Sequence, residues 1–184
     1  MTREIHLIRH GQSTFNAHMS ETGEDPIHVD AALSPLGHEQ VAHLARELKR
    51  VDFDVVVTTP YTRAIQTSLG LFGGREIPIL VEALHREYAA ASCDIGRSPG
   101  VLAEAFPALD FGHLDDPWWY VDSAAGTDIA TEPGHLLLER VRRFRVWLDQ
   151  RPERRIVVVG HGMFFYELVG RFLANCEVAV LGDG

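Results

Sequence analysis

Two valine runs constrain this chain more than any other feature. Asp54-Val55-Val56-Val57-Thr58-Thr59 and Ile156-Val157-Val158-Val159 are short, apolar and continuous, with no alternation of polar and apolar positions. A strand wetted on one face alternates, whereas a strand covered on both faces reads as an unbroken apolar run. Each run ends at a chain-breaking residue, Pro60 or Gly160, and each is followed by a segment with helical periodicity. Strands alternating with helices imply parallel pairing, because a parallel neighbour is reached only through a crossover long enough to hold a helix. The expected fold is an α/β three-layer sandwich, with a mostly parallel central sheet and helices on both faces.

The other segments fit this scheme. Glu4 to Ile8 has the apolar content of a strand. Ala17 to Asp30, with Gly23, Pro26 and several acids, reads as a helix start that frays into a loop. Ser34-Pro35 opens a helix, with serine as N-cap and proline at the first helical position. Its apolar face is Leu36, Val41, Leu44, Ala45 and Leu48. A helix from Tyr61 to about Phe72 closes at Gly73-Gly74, and Pro78 makes the strand Ile77 to Val81 short or marginal to the sheet. Residues 88–131 lose the pattern and read as an excursion shaping the substrate side of a pocket. It holds a short helix around Val101 to Phe106 and the aromatic run Trp118-Trp119-Tyr120, taken as a core plug. A helix from Glu132-Pro133 to about Gln150 turns Leu137, Val141, Phe144 and Leu148 inward, and Arg140, Arg142, Arg143 and Arg145 read as its solvated face. A helix from Met163 to Ala174 and a strand from Glu177 to Leu181 complete the pattern, which forms a single domain over residues 1–184.

Composition excludes several function classes. The net charge of −9 leaves no basic surplus for nucleic acid, so an anionic ligand would have to be small and met by arginines gathered in one pocket. No apolar run approaches membrane-spanning length, and the opening Met-Thr-Arg-Glu-Ile-His is no signal peptide. Cys93 and Cys176 lie far apart without metal-type spacing, which suggests reduced thiols in a cytoplasmic protein. His6 and His10 are four apart, a metal-ligand spacing on a helix, but they fall on a strand, and no metal is expected there.

Three strand ends carry the chemistry. The first strand runs into Arg9-His10-Gly11, the first valine run leads through Thr59-Pro60 to Arg63, and the second ends at His161-Gly162. In a parallel α/β sheet the carboxyl ends of the strands line one crevice, where ligands bind. Two arginines and two histidines scattered in sequence would converge there.

At these positions the chain resembles the histidine phosphatase superfamily, branch 1, also called the phosphoglycerate mutase-like family. Leu7-Ile8-Arg9-His10-Gly11-Gln12-Ser13, with Asn16 beyond it, is similar to the family's first signature. Asp30 to Gln40 resembles its D-x-x-L-[ST]-x-x-G-x-x-Q helix entry. Thr59-Pro60-Tyr61-Thr62-Arg63-Ala64-Ile65-Gln66-Thr67 resembles S-P-x-x-R-A-x-Q-T with threonine for serine. Leu84-His85-Arg86-Glu87 is similar to the L-x-x-E that carries a proton donor, and Val158-Val159-Gly160-His161-Gly162 to the segment of the second histidine. Five matches in the right order make the resemblance specific.

The resemblance implies two-step phosphoryl transfer on a small-molecule phosphomonoester. His10 would be the nucleophile, while Arg9, Arg63 and His161 would surround the phosphoryl oxygens. Asn16 and Gly162 would complete the cradle, and Glu87 would protonate the leaving oxygen. Glu82 lies near enough in sequence to compete for that last role, and the Glu87-Tyr88 context departs from the G-x-W-E-G often found around the acid. No cofactor is implied. The excursion lacks the adjacent arginine pair of the mutases, which favours hydrolysis over the alternatives of a mutase-type phosphotransferase or a non-catalytic phosphate-binding module. Its Cys93-Asp94-Ile95-Gly96 segment and later Trp-Trp-Tyr resemble an uncharacterised subgroup of phosphoglycerate mutase-like proteins. Arg97, from its place in the excursion, is the candidate for reading the rest of the substrate.

Overall fold

A computed structural model describes residues 3–122 and 129–182. In chain order they form β1 (Glu4–Arg9), α1 (Thr14–Thr22), α2 (Pro35–Glu47), β2 (Val55–Thr58), α3 (Thr62–Phe72), β3 (Ile79–Val81), α4 (Pro99–Ala105), α5 (Gly134–Asp149), β4 (Arg155–Gly160), α6 (Gly162–Val169) and β5 (Val178–Val180). The sheet order is β3-β2-β4-β1-β5. All neighbours are parallel except β5, which runs antiparallel to β1. This is the mostly parallel sheet that the valine runs demand.

The pleat divides the core in two. Ile5, Leu7, Val55, Val57, Ile156 and Val158 face Leu137, Val141, Phe144 and Leu148 of α5 and Phe164, Phe165 and Leu168 of α6. Ile8, Val56, Val157 and Val159 project from the other face onto Val41 and Leu44 of α2 and Ala64, Leu71 and Phe72 of α3. Both faces are therefore dry, which is why β2 and β4 contain no polar alternation. A third cluster under the excursion joins Tyr61, Ile65 and Val81 to Leu102, Phe111 and Trp118. Register then sets the site: Arg9 pairs with Gly160 and Thr58 with Val159, so His10, Thr59 and His161 leave adjacent strands at one level.

Four expectations need correction. Helix α1 does not fray: Ser13 and Asn16 form a reciprocal cap at its start, and Gly23 closes it, so local hydrogen bonds replace the amphipathic period it lacks. Leu36, expected on the apolar face of α2, is exposed, while the first turn of that helix packs on the Gln12 backbone through the buried Gly37. Helix α6 ends at Val169 rather than Ala174, since Gly170 takes a left-handed φ of 75° and its N–H closes on the Tyr166 carbonyl. Arg140, assigned to a solvated face, is buried and paired. The short helix of the excursion is α4. Residues 123–128 of that excursion lie outside the described residues. Among the described residues, no helix is long and apolar enough to cross a membrane.

Candidate active site

The turn after β1 is held from several directions by residues of the sequence signatures. The Gly11 N–H donates to Thr67 Oγ1 at 3.1 Å, the Gln12 N–H to Gln40 Oε1 at 2.8 Å, and the Ser34 N–H to the Gln12 carbonyl at 2.8 Å. Asn175 Nδ2 donates to the His10 carbonyl at 2.8 Å. A loop with its backbone groups all engaged presents its side chain in one orientation. That side chain is His10, which is buried. Its Nδ1 lies 2.7 Å from the Gly11 carbonyl, and because a carbonyl only accepts, Nδ1 carries the proton. The lone pair of the neutral ring is therefore on Nε2.

His161 stands beside it, with ring centroids 5.2 Å apart. It leaves the end of β4 and caps the start of α6, and its Nε2 lies 2.7 Å from Thr59 Oγ1 at the end of β2. Tyr61 packs edge-on against His161 at 5.2 Å, and the Arg63 guanidinium lies 4.3 Å over the Tyr61 ring. Arg63, fully within the protein, donates from Nη1 to the Cys93 carbonyl at 2.7 Å and from Nη2 to Asp94 Oδ1 at 3.2 Å. Arg9 donates from Nη1 to the Leu173 carbonyl at 2.9 Å and packs on Gly162, where a Cβ would come 3.5 Å from the guanidinium carbon. Two polar atoms of this group, Arg9 Nε and His161 Nδ1, are buried with no partner among the described residues.

Glu87 arrives from the loop after β3. Its carboxylate sits on the N-terminus of α6, accepting from the Met163 N–H at 3.1 Å and the Phe164 N–H at 3.1 Å. A helix N-terminus holds a carboxylate in this way because its first N–H groups have no intrahelical acceptor. Glu82, the competing acid, instead accepts from the Leu84 N–H at 2.9 Å within its own turn. The structure thus brings Arg9, His10, Arg63, Glu87, His161 and Gly162 to the carboxyl ends of β1, β2 and β4. Asn16 and Arg97 have other attachments. The Asn16 carboxamide oxygen accepts from the Ser13 N–H at 3.2 Å in the α1 cap, which leaves Nδ2 as its donor. Arg97, half exposed, pairs through Nε with Asp30 Oδ2 at 3.2 Å.

The family model of the histidine phosphatase superfamily, branch 1, matches residues 5–179. The chain belongs to that superfamily. A phosphoglycerate mutase-like protein of Arabidopsis thaliana is 28% identical to it, with 95% of this chain and 76% of the relative covered. A glucosyl-3-phosphoglycerate phosphatase of Mycolicibacterium vanbaalenii is 26% identical over 93% of this chain and 74% of its own. Among solved structures, the α-ribazole phosphatase of Shigella flexneri superposes with a TM-score of 0.66 at 19% identity, covering 96% of this chain and 89% of that one, a likeness of fold.

In this member of the superfamily the site's electrostatics rest on arginine. Burial, and then the charges of Arg63 and Arg9, push the His10 imidazole well below the ordinary histidine range. Burial followed by Arg63 does the same to His161. Both rings are neutral near pH 7, so the positive charge of the site is that of Arg9 and Arg63. Asp94 faces Arg63 and is pushed up to about 6, chiefly by burial. Asp30, which opens the second sequence signature, caps a neighbouring helix: Oδ1 accepts from the Thr62 N–H at 2.8 Å and Oδ2 from Thr62 Oγ1 at 2.5 Å, at the start of α3. Thr59 and Asp94 were missed as contributors from sequence. Thr59 was visible as the threonine that replaces the usual serine. Asp94 was visible only as part of the Cys-Asp-x-Gly segment, and its contact with Arg63 spans 31 residues.

Proposed function

We propose that this chain is a metal-independent phosphomonoester hydrolase that works through a phosphohistidine on His10. The observation that carries the reading is the Nδ1 contact of His10 with the Gly11 carbonyl at 2.7 Å, which leaves Nε2 of a neutral ring as the nucleophile between two arginines. Nε2 attacks phosphorus, the P–N bond forms as the ester P–O bond breaks, and Glu87 delivers a proton to the leaving alkoxide. Water then attacks the phosphohistidine, Glu87 takes the water's proton, and inorganic phosphate leaves with the imidazole neutral again.

The transferred group carries its charge on three oxygens, and the protein's contribution is mainly positioning and charge. Arg9 and Arg63 supply that charge, each in a planar fork suited to paired phosphate oxygens. Arg9 Nε and His161 Nδ1 are the donors that a bound phosphoryl group would satisfy. Asn16 Nδ2 and the backbone at Gly162 complete the cradle. The similarity to a glucosyl-3-phosphoglycerate phosphatase supports a small phosphomonoester as substrate. The two free cysteines, Cys93 and Cys176, support a reducing compartment such as the cytoplasm.

A panel of phosphomonoesters assayed on the wild type and His10→Ala tests this reading. Turnover should drop by about three orders of magnitude or more, as for other lost nucleophiles, and the wild type should form an acid-labile, alkali-stable phosphoenzyme. Equal turnover in both proteins would overturn it.

A further inference from the structure

We infer that Arg140 and Glu132 form a buried brace that seats Glu87 on the N-terminus of α6, which makes Arg140 a positioning residue of the reaction; this rests on the hydrolase reading above. Arg140 lies on α5 and Glu132 just ahead of it, both outside every sequence signature. The loop that carries Glu87, residues 84–89, belongs to no regular element, so its carbonyls need partners from elsewhere. Arg140 provides them. Its Nη1 donates to the Leu84 carbonyl at 3.0 Å and the Arg86 carbonyl at 2.8 Å, and its Nη2 reaches the Glu87 carbonyl at 3.4 Å. Its remaining donors grip Glu132, from Nε at 2.9 Å and from Nη2 at 2.6 Å. Every N–H of the guanidinium is then engaged, in one plane, and Glu132 returns to the same loop by donating its own N–H to the Ala89 carbonyl at 2.8 Å.

The fork connects both ends of the Glu87 contact. One turn along α5, Phe144 stacks on His85 at 4.6 Å and fixes the middle of the loop, while the Arg140 guanidinium lies 5.6 Å over the Phe164 ring. Phe164 donates the backbone N–H that Glu87 accepts. The acid and its seat are therefore referenced to the same side chain. Lysine would not substitute, since its three donors diverge from a point rather than spanning three carbonyls in a plane. A general acid displaced by about 1 Å loses much of its advantage, which is what a brace prevents.

A purely structural ion pair would behave differently, and that difference supplies the test. Glu132 also accepts from Arg86 Nη2 at 3.3 Å, and buried ionic groups replaced together by apolar residues of similar size are often neutral or stabilising, so Arg86→Met/Glu132→Leu/Arg140→Met should fold. That triple variant and Arg140→Lys are assayed on an alkyl phosphate and on p-nitrophenyl phosphate, with Glu87→Gln for comparison. The expected result is a kcat loss of about tenfold or more on the alkyl phosphate, a much smaller loss on p-nitrophenyl phosphate, and an unchanged KM. Combined with Glu87→Gln, the brace variants should add almost nothing, the signature of residues acting as one unit. Amide hydrogen exchange should quicken at residues 84–89 and at Met163 and Phe164 alone. Equal losses on both leaving groups, full additivity with Glu87→Gln, or exchange that quickens uniformly across the sheet would overturn the brace. If wild type and His10→Ala prove indistinguishable on every ester, the hydrolase reading falls by itself, and the exchange pattern still decides whether Arg140 seats Glu87.

Discussion

At the ends of β1, β2 and β4, the side chains of the site are set by their own strands: Arg9, His10, Thr59 and His161 each follow a buried run whose register is locked by the sheet. The first part of the excursion reaches the same place by other means. Residues 92–97 are strapped to the N-terminal half through Asp25, which accepts from the Ser92 N–H at 2.8 Å and Ser92 Oγ at 2.5 Å, and through the Arg97–Asp30 pair. Apolar contact adds to the strap: Phe15, Ala31 and Cys93 pack together, and Gly96 lies so close to Trp118 that a Cβ would come 2.3 Å from the indole. One wall is built from sheet register and dry packing, the other from polar contacts between segments distant in sequence. Register is cooperative and hard to shift, whereas a strap of individual hydrogen bonds yields one bond at a time.

The sharpest way to test the comparison is at Arg63, which belongs to the sheet side but is held by Asp94 of the excursion. Arg63→Gln should lower kcat/KM by about 10²–10³, the usual scale for a lost charge-stabilising group. Asp94→Asn, which leaves the arginine but loosens its hold, should cost nearer tenfold. The pH profile adds a sign. Asp94 is pushed up to about 6 by burial, so it is ionised, and pairs fully with Arg63, only above that value. Wild-type activity should therefore fall as pH drops through about 6, and Asp94→Asn should flatten that limb. An unaltered limb would show that the excursion does not govern Arg63.

Stability against acid probes the sheet side. His10, His161 and His85 are buried, and burial pushes all three down, His85 to about 3. The unfolded chain binds protons at these residues below about pH 6.5 while the native state does not, so stability falls with falling pH. The slope is about 1.4 kcal/mol per pH unit for each histidine. Asp94 works in the opposite sense between 6 and the ordinary carboxylate range, because its raised position favours the protonated native state. Urea unfolding at pH 7 and pH 5 should give the lower midpoint at pH 5, and His85→Leu should reduce the difference. An equal midpoint at both values would contradict the burial of these rings.

The smallest effect is expected at Arg97. Its side chain is 41% exposed, and its partner, the buried Asp30 carboxylate, keeps both Thr62 hydrogen bonds without it, so Arg97→Ala should lower stability only modestly. If the excursion shapes the substrate side of the pocket, the same variant should alter the ranking of phosphomonoesters by a few fold while leaving p-nitrophenyl phosphate turnover nearly constant. An unchanged ranking would remove Arg97 from the substrate contacts.

Much of the sheet side was legible in the sequence. Val55–Val57 and Ile156–Val159 declare strands buried on both faces, Ser34-Pro35 declares a helix start, and Arg9-His10, Arg63 and His161 stand where strands end. These are local signals, carried by periodicity and by residues adjacent in sequence. Arg140 shows why local signals fail elsewhere. It lies among Arg142, Arg143 and Arg145 on one helix, and what separates it from them is Glu132, eight residues away, and a loop more than fifty residues away. Helix α1 failed as an expectation for the converse reason, since a cap and a terminal glycine sustain nine residues with little amphipathic pattern.

The sequence by itself determined the alternation of strand and helix, the family, and the candidate groups for holding and attacking a phosphoryl centre, because each is written in short stretches of chain. Tertiary structure alone decided which nitrogen of His10 is free, which acid anchors Arg63, and what seats Glu87. Those outcomes depend on burial and on hydrogen bonds between distant segments, and neither exists until the sheet has brought the segments together.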